Sequence, residues 1–468
     1  MIEIRGVSLR RADLITRMPF RYGIATMTAL PHLFVVIEAE VDGISQTGVA
    51  ADHLPPKWFT KDAARDPAEE IDDMLTVIRH AAQAGAGLRG ATFFDVWGQL
   101  DQAQRAWGET AGFPPLLYRF GTALVERALL DAVCRAKGRP FHQLLHNNDL
   151  GLCLGELHGE LDGMSPHGLL PPKPLEQIFC RHTVGLSDPL RAGDNADDPR
   201  DGLPHALESC IDSYGLRHFK IKVTADPAFS IPRLREALTI VSERCGDRFR
   251  FSVDGNESFS SIAEFREFWE SARADPVIAL TLGNLLFVEQ PLHRDAALSH
   301  NAAAAFRTWD TRPPFIIDES DSSIDALPAA LEAGYSGITH KNCKGVVKGI
   351  ANACLLEKRR RARGSALIMS GEDLANVGPV AVTQDLAVQA ALGNASVERN
   401  GHHYFAGLSA WPEHVRAAMA EAHSDLYGGP PRLCPLRIDA GMLRLTSVNA
   451  RPFGCGPVFD DLGCPLDP

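Results

Sequence analysis

The stretch RHFKIKVTADPAFSIPRLREALTIVSERCGDRFRFSVDGN, residues 217–256, contains one complete strand–helix–strand repeat. Its two ends, HFKIKV and FRFSVDGN, are short apolar runs that are typical of buried strands. The segment IPRLREALTIVSERCG between them has the apolar spacing of a helix. A strand, a crossover helix and a second strand predict two neighbouring parallel strands.

The same alternation continues on both sides of this stretch. Further apolar runs are IFCRHTVG, NLLFVEQP, PFIIDES, GITHK and SALIMSGE, with ASVERNG as the best candidate for an eighth strand. They fall within a region of about 250 residues, which is the usual size of a (β/α)8 barrel. We therefore predict an α/β fold, a (β/α)8-type (TIM-like) barrel.

The residues before the barrel have a different pattern. MIEIRGVSLRRADLI and HLFVVIEAEVDGISQTGVA alternate apolar and polar residues around a DG turn, which predicts an antiparallel sheet. EEIDDMLTVIRHAAQAG and GTALVERALLDAVCRAKGRPF follow with helical spacing. We predict an α+β capping domain at residues 1–145, a barrel domain at 146–430 and a C-terminal segment at 431–468 that returns to the cap.

Two segments of the barrel domain do not fit the repeat. Residues 149–176 are rich in Gly and Pro, and residues 188–205 are acidic and nearly free of large apolar side chains. Both are predicted to be loop insertions. Because the second follows strand one at the predicted catalytic face, we interpret residues 188–205 as a lid.

The composition argues against several classes of partner. The formal net charge of -12 argues against nucleic acid or an anionic membrane. Neither a secretory signal nor a run of about 20 apolar residues is found. The ten cysteines are scattered without a CxxC pair, which indicates a reducing, cytoplasmic environment and argues against a zinc site built from them.

Charged residues recur where the predicted strands end. Along the chain these are Lys220 and Lys222 on strand two, Asp254, Glu289, Asp318 with Glu319, and Lys341 on strand six. The C-terminal ends of parallel barrel strands open onto one face, so three consecutive strands present three carboxylates to one point. A single charged residue at the end of a strand is common in other roles. Three carboxylates at the ends of three consecutive strands, however, predict a Mg²⁺ site formed by Asp254, Glu289 and Asp318.

The lysines flank the predicted metal site from two sides. Lys220 and Lys222 lie two positions apart and so face the same way, while strand six lies opposite strand two. A cation bound to a substrate carboxylate stabilises the enediolate that forms when the α-proton leaves. We predict Lys222 as the base, with its pKa lowered by burial, by the cation and by the still protonated Lys220. Lys341 is predicted to act as acid or base on the opposite face.

The motifs KIK, DGN, EQP, DES and HKNCKGV resemble those of the enolase superfamily, whose members use lysine or histidine bases with Mg²⁺. More narrowly, the chain resembles the mandelate racemase/muconate lactonizing enzyme group over most of its length, apart from the insertions. Strand six carries a lysine and strand seven ends in MSGED without a histidine, so the resemblance is closer to the muconate lactonizing branch.

This resemblance implies a small-molecule carboxylate substrate and a homo-oligomer. It implies Asp254, Glu289 and Asp318 as ligands of Mg²⁺, for which Mn²⁺ can substitute. The cap loops 19–28 and 50–59 would select the substrate. Residues expected to bind substrate or support the site are Asn256, Glu319, Glu372, Asp373 and Tyr22.

Several reactions remain open. Opposed lysines favour racemisation, epimerisation or cycloisomerisation. In a dehydration of a hydroxy acid or acid sugar, Lys341 would instead protonate the leaving hydroxide. A Schiff-base aldolase and a catalytically silent metal-binding barrel are alternatives of other classes. His340, His402 and His403 are interpreted as structural.

Overall fold

The computed structural model describes residues 1–194, 198–364, 366–457 and 466–467. An antiparallel sheet and three helices form the cap. The strands are β1 (Ile2–Tyr22), β2 (Ala25–Val41), β3 (Ile44–His53) and the short β4 (Arg89–Gly90). The helices are α1 (Pro67–Gly85), α2 (Phe93–Ala111) and α3 (Pro115–Lys137). β2 lies between β1 and β3, and β4 pairs with β1.

Local sequence signals set the ends of the cap helices. Asp66 caps α1 by accepting a hydrogen bond from the backbone of Ala68. Thr92 and Asp95 form a reciprocal capping box at the start of α2. α3 ends at Gly138, which adopts a left-handed φ of 61°. α3 is buried along almost its whole length, because it packs against β3 on one side and the barrel on the other.

The second sheet closes into a barrel of eight parallel strands. They are β5 (Gln177–Val184), β6 (His218–Lys222), β7 (Arg250–Asp254), β8 (Leu285–Glu289), β9 (Phe315–Ile317), β10 (Gly337–His340), β11 (Ile368–Gly371) and β12 (Ser396–Glu398). Each strand pairs with the next along the chain, and β12 pairs with β5 to close the circle. The predicted barrel and α+β cap are confirmed, and the eighth strand lies within ASVERNG.

Helices surround the barrel and connect its strands. They are α4 (Phe141–His146), α5 (Leu154–Leu157), α6 (Leu207–Tyr214), α7 (Pro227–Cys245), α8 (Ile262–Arg273), α9 (Pro276–Thr281), α10 (Arg294–Ala297), α11 (His300–Arg307), α12 (Ala326–Ala333), α13 (Val346–Arg363), α14 (Ala381–Leu392), α15 (Gly401–Tyr404), α16 (Glu413–Ala422) and α17 (Thr446–Ala450). Short 3₁₀ helices span Gly159–Leu161, Leu282–Asn284 and Asn342–Lys344. Within the described ranges, none of these helices is long and apolar enough to cross a bilayer.

The C-terminal segment contacts both sheets. β13 (Met442–Arg444) pairs antiparallel with β5 on the barrel. β14 (Leu466–Asp467) pairs antiparallel with β1, so that Asp467 lies opposite Leu9 in the cap sheet. The 188–205 insertion lies between β5 and α6, where Asp201 binds Arg17 of β1, and its positions 195–197 fall outside the described residues.

Candidate active site

The strand register brings the predicted site residues to one level of the barrel. Lys222 pairs with Asp254 across β6 and β7, and Asp254 pairs with Glu289 across β7 and β8. Since strand residues two apart share a face, Lys220 also projects into the barrel mouth. These four side chains are at most 5% exposed.

Lys220 lies at the centre of four carboxylates. Its Nζ is 2.7 Å from Glu289 Oε1 and 3.0 Å from Asp254 Oδ2. It is also 3.0 Å from Glu372 Oε2 and from Glu398 Oε2. Burial lowers the pKa of Lys220, but the surrounding carboxylates outweigh burial and hold this pKa well above its ordinary value. Lys220 therefore carries a proton and a fixed positive charge.

Lys222 lies nearer the opening of the barrel. Its Nζ donates to Asp254 Oδ2 at 3.1 Å and to the Oδ1 of Asn256. The backbone N–H of Asn256 in turn donates to Asp254 Oδ1 at 2.9 Å. The DGN turn thus orients both the carboxylate and the amine.

The EQP motif connects the ends of β8 and β9. Gln290 Oε1 accepts from the backbone N–H of Asp318 at 2.7 Å, and its Nε2 donates to Ser320 Oγ at 2.7 Å. Pro291 packs so closely on Gly255 that a Cβ there would lie 2.7 Å from the Pro291 Cα. The motif therefore fixes the position of Asp318 as well as supplying Glu289.

Asp318 and Lys341 form the opposite side of the site. Lys341 Nζ lies 3.0 Å from Asp318 Oδ2 and 2.9 Å from Glu372 Oε2. Lys344 Nζ lies 2.8 Å from Asp318 Oδ1. Burial raises the pKa of Asp318, but Lys341 and Lys344 outweigh burial and lower this pKa below its ordinary value. The Lys341 ammonium also lies 5.4 Å from the centre of the Trp58 ring, within cation–π range.

Three carboxylates form a compact group suited to a metal ion. Glu289, Asp318 and Glu372 each offer an oxygen, and these oxygens lie within 4.8 Å of one another. Glu289 Oε2 is buried with no hydrogen-bond partner among the described residues. Burial, together with the charges of Asp254 and Glu372, raises the pKa of Glu289 well above its ordinary value. An unpaired buried oxygen among carboxylates fits a hard divalent cation.

This group differs in one member from the predicted ligand set. The sequence predicts Asp254 with Glu289 and Asp318, and it predicts Glu372 only as a supporting residue. In the structure Glu372 completes the compact group, because β11 ends beside β10 and directs its carboxylate inward. Asp254 faces the same Lys220 ammonium from the β7 side, where it also contacts Lys222.

Glu319 and Asp373 lie at the edges of the site. Glu319 Oε1 accepts from Asn256 Nδ2 at 3.4 Å, and burial raises the pKa of Glu319 to about 8. Asp373 lines the cavity and lies 2.9 Å from Arg399 Nη2. Burial raises the pKa of Asp373 to about 7.

Sequence reasoning missed four residues of the site. Glu398 at the end of β12 contacts Lys220 and accepts from Thr183 Oγ1 at 2.6 Å. Arg181 of β5 donates to Glu372 Oε1 at 2.9 Å. The remaining two are Lys344 and the cavity-lining Asn400. Glu398 is the last residue of β12, just as Asp254 and Glu289 are the last residues of β7 and β8. This position at the end of a barrel strand is the sequence signal that could have identified Glu398.

A small cavity lies between the barrel mouth and the cap. Lys220, Lys222, Asp254, Asp318 and Lys341 form its floor. The cap supplies Phe20, Tyr22, Met27, Pro55 and Trp58. Both segments predicted to select the substrate, 19–28 and 50–59, therefore line it. The cap wall is largely aromatic and apolar, and the Tyr22 hydroxyl donates to Pro56 O at 2.8 Å.

The three histidines interpreted as structural lie outside the described lining of this cavity. His340 packs against Gly349 of α13, where a Cβ would lie 2.3 Å from its ring. His402 and His403 belong to α15 and are buried behind the barrel wall.

Comparisons with known proteins agree with this architecture. Residues 203–424 match the family model described as "Enolase C-terminal domain-like". No curated protein matches this chain. Among solved structures, a mandelate racemase/muconate lactonizing protein from Herpetosiphon aurantiacus has a TM-score of 0.62 at 15% identity, and the match covers 96% of this chain and 97% of that chain.

Two further structures have named activities. A muconate lactonizing enzyme from Pseudomonas fluorescens, complexed with muconolactone, has a TM-score of 0.59 at 17% identity, covering 99% of this chain and 96% of that chain. A dipeptide epimerase from Enterococcus faecalis V583, complexed with Mg and the dipeptide L-Leu-L-Tyr, has a TM-score of 0.58 at 15% identity, covering 94% of this chain and 100% of that chain. At sequence identities this low, the structural similarity shows a shared fold and not a shared activity. Residues 203–424 therefore match the enolase C-terminal domain-like family, and nearly the whole chain shares the fold of mandelate racemase/muconate lactonizing proteins.

Proposed function

We propose that this protein is a Mg²⁺-dependent enzyme that removes the α-proton of a carboxylate substrate and carries out a racemisation, epimerisation or cycloisomerisation. The observation that carries this proposal is the placement of Lys222 and Lys341. Both amines line one cavity, and they lie at the ends of β6 and β10, which are four strands apart in a barrel of eight. A substrate held between them exposes one face of its α-carbon to each amine.

The surrounding residues support different roles for the lysines. Lys222 contacts one carboxylate and one amide, whereas Lys220 contacts four carboxylates. Lys222 therefore has fewer competing partners than Lys220, and it is the amine that we assign as the base. Lys341 returns a proton to the opposite face of the carbon, or removes it from the mirror-image substrate. Lys220 keeps its charge and stabilises the negative charge of the substrate carboxylate.

The residues that would hold Mg²⁺ are Glu289, Asp318 and Glu372, with Asp254 beside them. When bound there, the ion supplies positive charge to the substrate carboxylate as it gains electron density. Gln290 fixes the backbone of Asp318 by accepting from its N–H, and Arg181 donates to the Glu372 carboxylate. These hydrogen bonds limit how far the side chains of the site must move when the metal ion binds.

The cap wall supports a substrate with an uncharged, apolar group next to its carboxylate. Phe20, Met27 and Trp58 line that side of the cavity, and no charged residue of the cap is among its described lining. A charged group placed there would lose hydration without gaining a partner. N-acyl derivatives of apolar amino acids and aromatic hydroxy acids therefore suit the cavity better than acid sugars.

The test is a screen of these carboxylates in D₂O with Mg²⁺, scored by deuterium appearing at the α-carbon. We expect exchange that EDTA abolishes and that Mg²⁺ or Mn²⁺ restores. Lys222→Ala and Lys341→Ala should each slow interconversion by about 10²–10⁴-fold, the usual contribution of a positioned acid or base. Each variant should retain exchange with the stereoisomer whose proton faces the remaining lysine.

Other outcomes would contradict the proposal and identify the alternative. Accumulation of a 2-keto acid would indicate dehydration. Turnover that survives EDTA, together with an enzyme–substrate imine that borohydride reduces and traps, would indicate a Schiff-base lysine. Folded, Mg²⁺-binding protein that exchanges no proton of any compound in the screen would indicate a catalytically silent barrel.

A further inference from the structure

A group of histidine and cysteine side chains lies behind the barrel wall, separate from the carboxylate site. Cys180 and His182 alternate along β5 with Arg181 and Thr183, whose side chains bind carboxylates inside the barrel. The first two therefore point outward, towards the helices. There they meet Cys210 of α6 and two residues of α15, His402 and His403. We refer to these five residues as the His/Cys cluster.

The cluster places nitrogen and sulfur atoms at short distances. One ligand atom each of His182, Cys210 and His403 lies within 4.8 Å of the other two. Cys210 Sγ is 3.8 Å from His403 Nδ1, and His182 Nδ1 is 3.2 Å from His402 Nε2. Zinc bonds of roughly 2.0–2.3 Å in a tetrahedron separate neighbouring ligand atoms by about 3.3–3.8 Å. The spacing thus approaches that of a zinc site.

The cluster is buried and combines nitrogen and sulfur donors. All five side chains are buried, with at most 7% of any residue exposed. Nitrogen and sulfur donors without a carboxylate between them favour Zn²⁺ over Mg²⁺.

A carboxylate lies where it could orient one of the histidines. Asp188 Oδ2 is 3.8 Å from His403 Nε2, the ring nitrogen that faces away from Cys210. The carboxylate is itself held by the Tyr404 hydroxyl at 2.6 Å and by the Gly185 N–H at 2.7 Å. Its Oδ1 is buried with no hydrogen-bond partner among the described residues. Histidines that bind metals commonly give their second N–H to such a group.

We propose that His182, Cys210 and His403 bind one zinc ion. Binding releases the thiol proton of Cys210 to solvent and leaves the thiolate on the metal. The ligands come from β5, α6 and α15, so no cysteine spacing marks the site in the sequence. The ion would join the segments that follow barrel strands one and eight.

This site would also support the cavity wall. Tyr404 follows His403 directly, and its ring stacks on Phe20 of the cap at 4.0 Å between centroids. Phe20 lines the cavity. The zinc ion is therefore expected to act through position and stability rather than through contact with the substrate.

The test measures the zinc content of the purified full chain after dialysis against a weak chelator and gel filtration. We expect about one zinc per chain in the wild type and less than a tenth of that in Cys210→Ser and His403→Gln. Cys354→Ser removes another buried thiol distant from the cluster, and Glu289→Gln changes the carboxylate site. Both controls should retain the zinc of the wild type.

A second measurement needs no variant and so does not depend on the folding of one. Wild-type protein stripped of metal is titrated with Co²⁺ and followed by visible and near-ultraviolet absorption. A thiolate-to-cobalt charge-transfer band that reaches its limit at one equivalent is the expected result. Absence of both zinc and this band, or zinc retained in the Cys210 and His403 variants, would overturn the proposal.

Discussion

At the scale of single residues, Gly255 determines how closely two site motifs can pack. It stands in DGN between Asp254 and Asn256, and a Cβ at this position would lie 2.7 Å from the Cα of Pro291. Pro291 belongs to the EQP motif, whose backbone cannot move away without shifting Glu289. The glycine is therefore required by close approach between two backbones.

We expect Gly255→Ala to destabilise the protein by about 1–3 kcal/mol, the usual cost of overpacking a rigid site. Gly98 is the matched control, because it lies inside α2 and a Cβ added there would have no packing neighbour within 4 Å. Gly98→Ala should leave stability unchanged or raise it by roughly 0.5–1 kcal/mol. Urea unfolding of both variants gives the comparison. Equal changes in unfolding free energy at the two positions would show that Pro291 can move away from the added methyl group at little energetic cost.

At the scale of elements, Arg17 of β1 connects residues 201–204 of the 188–205 insertion to the cap. Arg17 of β1 binds both carboxylate oxygens of Asp201, at 2.5 and 2.8 Å. The same guanidinium donates to the carbonyls of Leu203, Pro204 and His403. Its side chain is 3% exposed, so the interaction is protected from solvent. This contact is consistent with the interpretation of the insertion as a lid.

Replacing Arg17 with Ala should release the insertion from the cap. Breaking a buried ion pair costs several kcal/mol, and each 1.4 kcal/mol changes the open population about tenfold. We expect trypsin to cleave the native variant within residues 188–205 at least about tenfold faster than the wild type. Arg5→Ala is the control, because Arg5 pairs with Glu3 and Glu40 on the exposed part of the same sheet. If the two variants are cleaved equally fast, Arg17 does not hold the insertion.

The elements also show what a sequence can and cannot predict. Strands five residues long, such as β6 and β7, carry enough alternation to mark which side chains enter the barrel. β12 has only three residues, so its alternation did not mark Glu398 as a site residue. The His/Cys cluster combines residues more than 190 positions apart, such as Cys210 and His403. Such contacts depend on how α6 and α15 pack, which no local pattern records.

At the scale of the whole molecule, many ionisable groups are buried, and their pKa values couple stability to pH. His218 at the start of β6 is a clear case away from both proposed metal sites. Its ring stacks on Phe179 at 4.2 Å, and its Nδ1 lies 2.8 Å from Ser396 Oγ. Burial, with a smaller contribution from the positive charges of Arg181 and Arg250, lowers the pKa of His218 to about 4.

This lowered pKa predicts that His218 contributes to acid destabilisation. Between about pH 6.5 and pH 4 the unfolded chain binds a proton at this histidine and the folded chain does not, so stability falls as the pH falls. From about pH 7 to about pH 5 the wild type should lose about 2 kcal/mol relative to His218→Gln, which cannot titrate. Urea unfolding of both proteins at each pH isolates this difference, because every other titrating group is common to both. A stability difference that stays constant with pH would mean that His218 has the same pKa in the folded and the unfolded protein.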